Sequence, residues 1–111
     1  MPNAWIKEFP AAVTVCDKHG VILEMNDRSC RMFAKDGGAG LIGKNLLDCH
    51  PEYARKKIEK MLEQPHPHCY TTEKNGKKKL VYQSPWFENE EFMGLVEIVM
   101  ELPEDMPHYK K

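Results

Sequence analysis

The stretch AAVTVCDKHGVILEMN, residues 11–26, decides the fold. Its first half is small and β-branched (Val13, Thr14, Val15), the composition of a strand. Asp17-Lys18-His19-Gly20 reads as a turn, with glycine where a positive φ is expected. Val21 to Met25 reads as a second strand, with Val21, Leu23 and Met25 on one face and Ile22 and Glu24 on the other. Two strands joined by so short a turn predict an antiparallel hairpin.

Working outward toward the N-terminus, Met1 to Phe9 carries Trp5, Ile6 and Phe9 at a spacing that suits a short amphipathic helix. Pro10 ends it, because proline disfavours helix in the residue before it. Toward the C-terminus, Asn26 is an N-cap residue and Asp27 places negative charge in the first turn of the helix that follows. Cys30, Phe33 and Ala34 recur at helical spacing, with Met32 flanking. The glycine-rich run Asp36 to Gly40 cannot sustain a helix and is expected to be a mobile loop. Leu41 to His50 suits one or two helical turns. Pro51 opens the next helix. Ala54, Ile58, Met61 and Leu62 form an apolar stripe through Pro51–Gln64, opposite a charged face.

The last third reads as β. Asn75-Gly76 is a strong hairpin signal between His68–Lys74 and Lys77–Phe87. Glu88 to Glu91 is a polar turn. In the strand Phe92–Leu102, Phe92, Gly94, Val96, Ile98, Met100 and Leu102 line one face. Met93, Leu95, Glu97, Val99 and Glu101 line the other, which is half apolar and therefore expected to be partly covered. Two leading strands, a block of helices and three trailing strands predict an α+β domain: one five-stranded antiparallel sheet with helices on one face. The expected organisation is an N-terminal helix at 1–9, the domain at 10–102 and a loose tail at 103–111.

Composition narrows the function. The 111 residues are 41% hydrophobic and 30% charged, with a net charge of -1. Phosphate binding needs a basic excess, so nucleic acid is not an expected partner. No apolar run approaches the roughly 20 residues that span a bilayer, so no membrane association is expected. Met1–Phe9 does not read as a secretory signal, and the expected compartment is the cytoplasm. Cys16, Cys30, Cys49 and Cys69 form no Cys-x-x-Cys pair and are expected as free thiols.

The element order, with Phe9-Pro10-Ala11-Ala12-Val13, Asp17-Lys18-His19-Gly20, Val21–Asn26, Met32-Phe33 and Leu41-Ile42-Gly43-Lys44-Asn45-Leu46-Leu47, resembles a PAS domain of the bacterial sensory type. The resemblance covers Phe9 to Leu102. It implies strand order 2-1-5-4-3, a small cavity between the inner sheet face and the helices, and an outer face covered by an N-terminal helix or a second protomer. Trp5, Ile6 and Phe9 are then expected to pack over Leu95 and Val99, within one chain or across a homodimer. The implied function is a sensory or regulatory module of signal transduction, including regulation of transcription. It would bind a small ligand or a protein partner and act through conformational or dimer changes. With no room for a kinase, cyclase or DNA-binding unit, output is expected through a downstream signalling protein or effector domain.

The residues expected around the cavity are Phe33, Leu46, Tyr53, Ile58, Met61, Tyr82, Ser84, Val96 and Ile98. Tyr53, Tyr82 and Ser84 could orient a polar head group. The alternative is that these side chains fill the core, making the chain a constitutive dimerisation module, and a filled or nearly filled core is the favoured expectation. No particular cofactor is required. The flavin adduct of light-sensing relatives needs a cysteine directly after the asparagine of a Gly-x-Asn-Cys-Arg motif. Leu46 stands there, after Gly43-Lys44-Asn45. Heme-binding relatives use a histidine on the long helix. The body of that helix has none, so His50, one residue before Pro51, is a weak candidate for an axial ligand in a heme-sensor alternative. A metal site is disfavoured: Cys49-His50 and His66-Pro67-His68-Cys69 flank a helix of about 14 residues, about 20 Å long. Only His66, His68 and Cys69 could converge. No catalysis is expected, because Cys16 and Asp17 point to opposite sheet faces and Cys49-His50 lacks a third member.

Overall fold

The computed structural model describes residues 4–111; Met1–Asn3, the start of the expected N-terminal helix, lie outside the described residues. One antiparallel sheet carries all five strands. They are β1 (Ala12–Asp17), β2 (Ile22–Met25), β3 (His68–Lys74), β4 (Lys77–Glu88) and β5 (Glu91–Glu101), in the spatial order β2-β1-β5-β4-β3. Three α-helices accompany them: α1 (Ala4–Lys7), α2 (Asp27–Met32) and α3 (Glu52–Glu63).

The β1–β2 hairpin is closed by Asp17, whose Oδ1 accepts the N–H of His19 at 2.8 Å and of Val21 at 2.9 Å. Gly20 has φ +89, a conformation that L side chains rarely adopt. Val15 pairs with Glu24 but Cys16 pairs with Ile22, so Leu23 is bulged out and 45% exposed. The bulge changes the face count: Ile22 and Met25, rather than Leu23 and Met25, end on the same side.

Asn26 caps α2 as its residue type predicts, accepting the Ser29 N–H at 3.0 Å. Its amide Nδ2 donates to Ala11 O at 2.8 Å and Ile6 O at 3.0 Å. The buried residue of α2 is Ser29, whereas the sequence pattern points to Cys30, Phe33 and Ala34. Its hydroxyl lies 2.6 Å from Thr14 Oγ1 and fixes the helix to the inner face of β1. The glycine-rich segment is not a plain loop. It folds into 3-10 turns at Ala34–Asp36 and Gly38–Leu41, with Gly38 and Leu41 buried.

The β3–β4 turn has Asn75 and Gly76 at φ 54 and 77, and the β4–β5 turn has Asn89 and Glu90 at φ 50 and 68. These left-handed pairs match the twist of the flanking strands. Pro85 interrupts β4 where β3 has already ended, since the last β3 pairing is His68 with Gln83. An edge position of this kind is where a strand tolerates proline.

The inner face is defined by what touches it. Cys16 and Leu95 pack with Met61 of α3, while Ala12, Val81 and Val99 form a second buried cluster. Leu95 and Val99 therefore lie under the helices, not on the outer face where the sequence pattern put them. The outer face carries Val15, Tyr82, Ser84, Val96 and Ile98 by register. The N-terminal helix does not cover Leu95 and Val99 either. It is held at the start of α2 by the bond to Ile6 O and by an ion pair of Lys7 with Asp27 at 3.2 Å. Ile6 is half-buried, while Trp5 and Phe9 stack edge-on at 5.7 Å and remain 64% and 40% exposed.

Candidate ligand cavity

α3 is amphipathic as predicted, but it packs on the turn at Leu46–Asp48 and meets the sheet mainly through Met61. Over most of its length it stands off from β3, β4 and β5. The gap is a cavity of about 810 Å³, continuous with solvent along exposed β3. The favoured expectation of a filled core does not hold at this place. The helix stripe is too short of bulk to bridge the gap: Ile58 is only half-buried and Tyr53 is 73% exposed.

Of the expected cavity residues, Phe33, Leu46, Tyr53, Ile58 and Met61 line the wall formed by the helices and turns. Tyr82, Ser84 and Ile98 do not; they are on the opposite sheet face. Val96 borders the cavity, yet its register partners Val15 and Ser84 place its side chain outward. The cause is one misassigned face of β5. Its even-numbered side is the more apolar, yet from Leu95 to Val99 the odd-numbered side faces the helices; only Phe92, beyond the register shift, packs inward from the even set.

The corrected register gives the cavity a patterned floor. Thr14 lies opposite Glu97, Glu97 opposite Gln83, and Gln83 opposite His68, so four polar residues cross the sheet in one row. Adjacent strands are about 4.8 Å apart, which makes the row a continuous polar stripe. It is flanked on one side by Cys16 and Leu95 and on the other by Ala12, Val99, Val81 and Tyr70. Gln83 Nε2 donates to Glu97 Oε2 at 2.8 Å. Burial, and then the charge of Glu97, push the Tyr70 hydroxyl above its ordinary pKa. The Cys16 thiol is pushed up chiefly by burial; the Leu95 backbone N–H offsets part of this, and the charge of Asp17 adds to it.

Glu97, Gln83 and Tyr70 are not among the site residues expected from the sequence, and His68 is expected there only as a possible metal ligand. One usable signal was present. Counting back from Asn75-Gly76 pairs Lys74 with Lys77 and brings His68 opposite Gln83.

Three histidines, His50, His66 and His68, line the cavity. His50 Nδ1 donates to Leu46 O at 2.7 Å and His66 Nδ1 to Gln64 O at 2.7 Å, which leaves Nε2 of each unused by these bonds. His68 and Cys69 are neighbours on a strand and point to opposite faces, so the His66, His68 and Cys69 trio cannot converge. Among the described residues no group of three or more His, Cys, Asp or Glu side chains is gathered closely enough to hold a metal ion. Nor is any described helix long and apolar enough to cross a membrane.

Comparison with known proteins agrees with this architecture: the PAS fold family matches residues 6–101. The chain belongs to the PAS fold family. Several solved structures are similar to this PAS domain. The PAS domain of BvgS from Bordetella pertussis superposes with a TM-score of 0.70 at 20% identity, covering 93% of this chain and 85% of that one. The PAS domain of the histidine kinase ThkA gives 0.64 at 19% identity, covering 81% and 97%. The Aer2 receptor from Vibrio cholerae, described as a dual PAS-heme oxygen sensor, gives 0.58 at 16% identity, covering 84% and 95%. At these identities the likeness is one of fold. No curated protein matches the chain.

Proposed function

We propose that this PAS domain is a sensory module that binds a small molecule between α3 and the inner sheet face and performs no chemistry of its own. The observation that carries the reading is the cavity of about 810 Å³ between protein side chains, whose lining is mostly apolar and whose floor holds a polar stripe. Pockets of this size and mixture are typical of small-molecule sites. Occupancy would draw α3 toward the sheet and shift the population of two helix positions. Family membership and the likeness to sensor-kinase PAS domains support a role in signal transduction, with output through a partner protein or effector domain in the cytoplasm.

Self-association is the second part of the proposal. Tyr82 is 39% exposed on the outer face beside half-buried Ile98, and half-buried Val15 and Val96 continue the same face. An apolar surface of this kind favours a second copy or a partner. Native mass spectrometry of the gently purified protein tests both parts. A stoichiometric small-molecule adduct lost on denaturation, on a dimer, is the expected result. A bare monomer at micromolar concentration would overturn both.

A further inference from the structure

Resting on that reading, we infer that the cavity selects an organic ammonium: a ligand with an apolar body and a cationic N–H donor directed at Glu97. The argument begins with what Glu97 lacks. It sits mid-floor, half-buried, between Thr14 and Gln83 in register. Thr14 Oγ1 is engaged with Ser29 at 2.6 Å, and the hydrogen bond recorded at the Glu97 carboxylate comes from Gln83. Among the described residues the ion pair present is Lys7 with Asp27, and no Lys, Arg or His nitrogen lies within 4 Å of the Glu97 carboxylate. A half-buried carboxylate with one neutral donor is complementary to a cation, and a hydrogen bond to a charged partner is stronger than a neutral one.

The surroundings define the rest of the ligand. Leu95 and Cys16 on one side of the stripe, and Met61 and Ile58 above it, offer apolar walls to an aromatic or aliphatic body. Gln83 holds the carboxylate orientation, and its remaining amide groups and the His68 ring continue the polar row toward the open edge. Lys57 and Lys60 belong to the α3 wall and are exposed. They disfavour a cation on the α3 side of the mouth; Asp36, also in the lining, is exposed and solvated, so half-buried Glu97 on the floor is the carboxylate that gains most from an ammonium partner.

The test compares three probes of matched shape: 3-phenylpropan-1-amine, 3-phenyl-1-propanol and 3-phenylpropanoate. Each is titrated into the ligand-stripped protein, and affinity is read from amide shifts of β5 and α3 by NMR. The expected result is that the amine binds at least about tenfold more tightly than the alcohol, that the carboxylate binds weakest, and that Glu97→Gln removes the amine preference. Glu97→Gln keeps the shape of the floor. Should that variant fail to fold, the wild-type ratio of amine to alcohol decides the matter. Equal binding of amine and alcohol, or an amine preference that survives Glu97→Gln, would overturn the ligand class and leave the cavity reading standing. Binding of none of the three also overturns the class, and the native mass spectrum then separately decides whether the cavity holds a ligand at all.

Discussion

Trp86 Nε1 donates to the Cys16 carbonyl oxygen at 3.1 Å, spanning three strands at the level of Gly94. The register runs Asp17, Gly94, Trp86 across the sheet, so the indole reaches past Gly94 to β1. A Cβ built at Gly94 would stand 1.9 Å from Cys16 O and 2.8 Å from the backbone of Asp17. Both neighbours are backbone and cannot swing aside.

Gly94→Ala is therefore expected to force the end of β1 away from β5. The expected loss is at least about 3 kcal/mol, the upper range for overpacking. Trp86→Phe removes only the bond and some area and is expected to cost about 1–2 kcal/mol. Urea unfolding of the two variants against wild type checks the order; a Gly94→Ala variant as stable as Trp86→Phe would contradict the close approach.

Asn26 joins four backbone groups with one amide. Its Oδ1 accepts from Val13 and Ser29, and its Nδ2 donates to Ala11 and Ile6, while the residue is 3% exposed. Asn26→Ala leaves buried backbone groups without partners and is expected to destabilise by about 2–4 kcal/mol. Asn26→Asp keeps the two accepted bonds but sets a carboxylate oxygen against the Ala11 and Ile6 carbonyls at a buried site, so it is expected to cost at least as much as alanine at neutral pH. Thermal unfolding of the pair measures this.

The strands, the long helix and the Asn26 cap were legible because each rests on local chemistry: β-branched runs, a 3.6-residue stripe and a side-chain oxygen placed to accept. The inner face of β5 was not. Assigning burial to the more apolar side selects Val96 and Ile98, but the protein puts Leu95, Glu97 and Val99 inside. A cavity floor has reason to retain a polar residue, so the apolar-inside rule points the wrong way at the site itself. The β2 face failed for a different reason. One bulged residue, Leu23, inverts the alternation, and nothing local announces it. The position of α1 was likewise hidden, since it depends on Asn26 reaching back to Ile6 across the fold.

Stability is expected to fall on the alkaline side. Burial raises the Cys16 thiol, and burial with the Glu97 charge raises the Tyr70 hydroxyl. A group whose pKa is raised in the fold contributes stability that is intact below its ordinary pKa and is lost as pH climbs through the folded value. For the thiol the loss begins above about pH 8.5. Melting temperatures from pH 7 to 10 should decline for wild type and decline less steeply for Cys16→Ala, whatever its starting stability. Parallel slopes would show that the buried thiol does not contribute.

The account depends on α3 standing off from the sheet until something occupies the gap. Hydrogen exchange compares protein as purified with protein unfolded, stripped and refolded. The predicted result is that amides of Glu52–Glu63 exchange well before those of β4 and β5 in the stripped protein and are selectively slowed in the purified one. An α3 that exchanges as slowly as β5 in both preparations would mean a closed core, and would contradict the cavity and the sensory reading built on it.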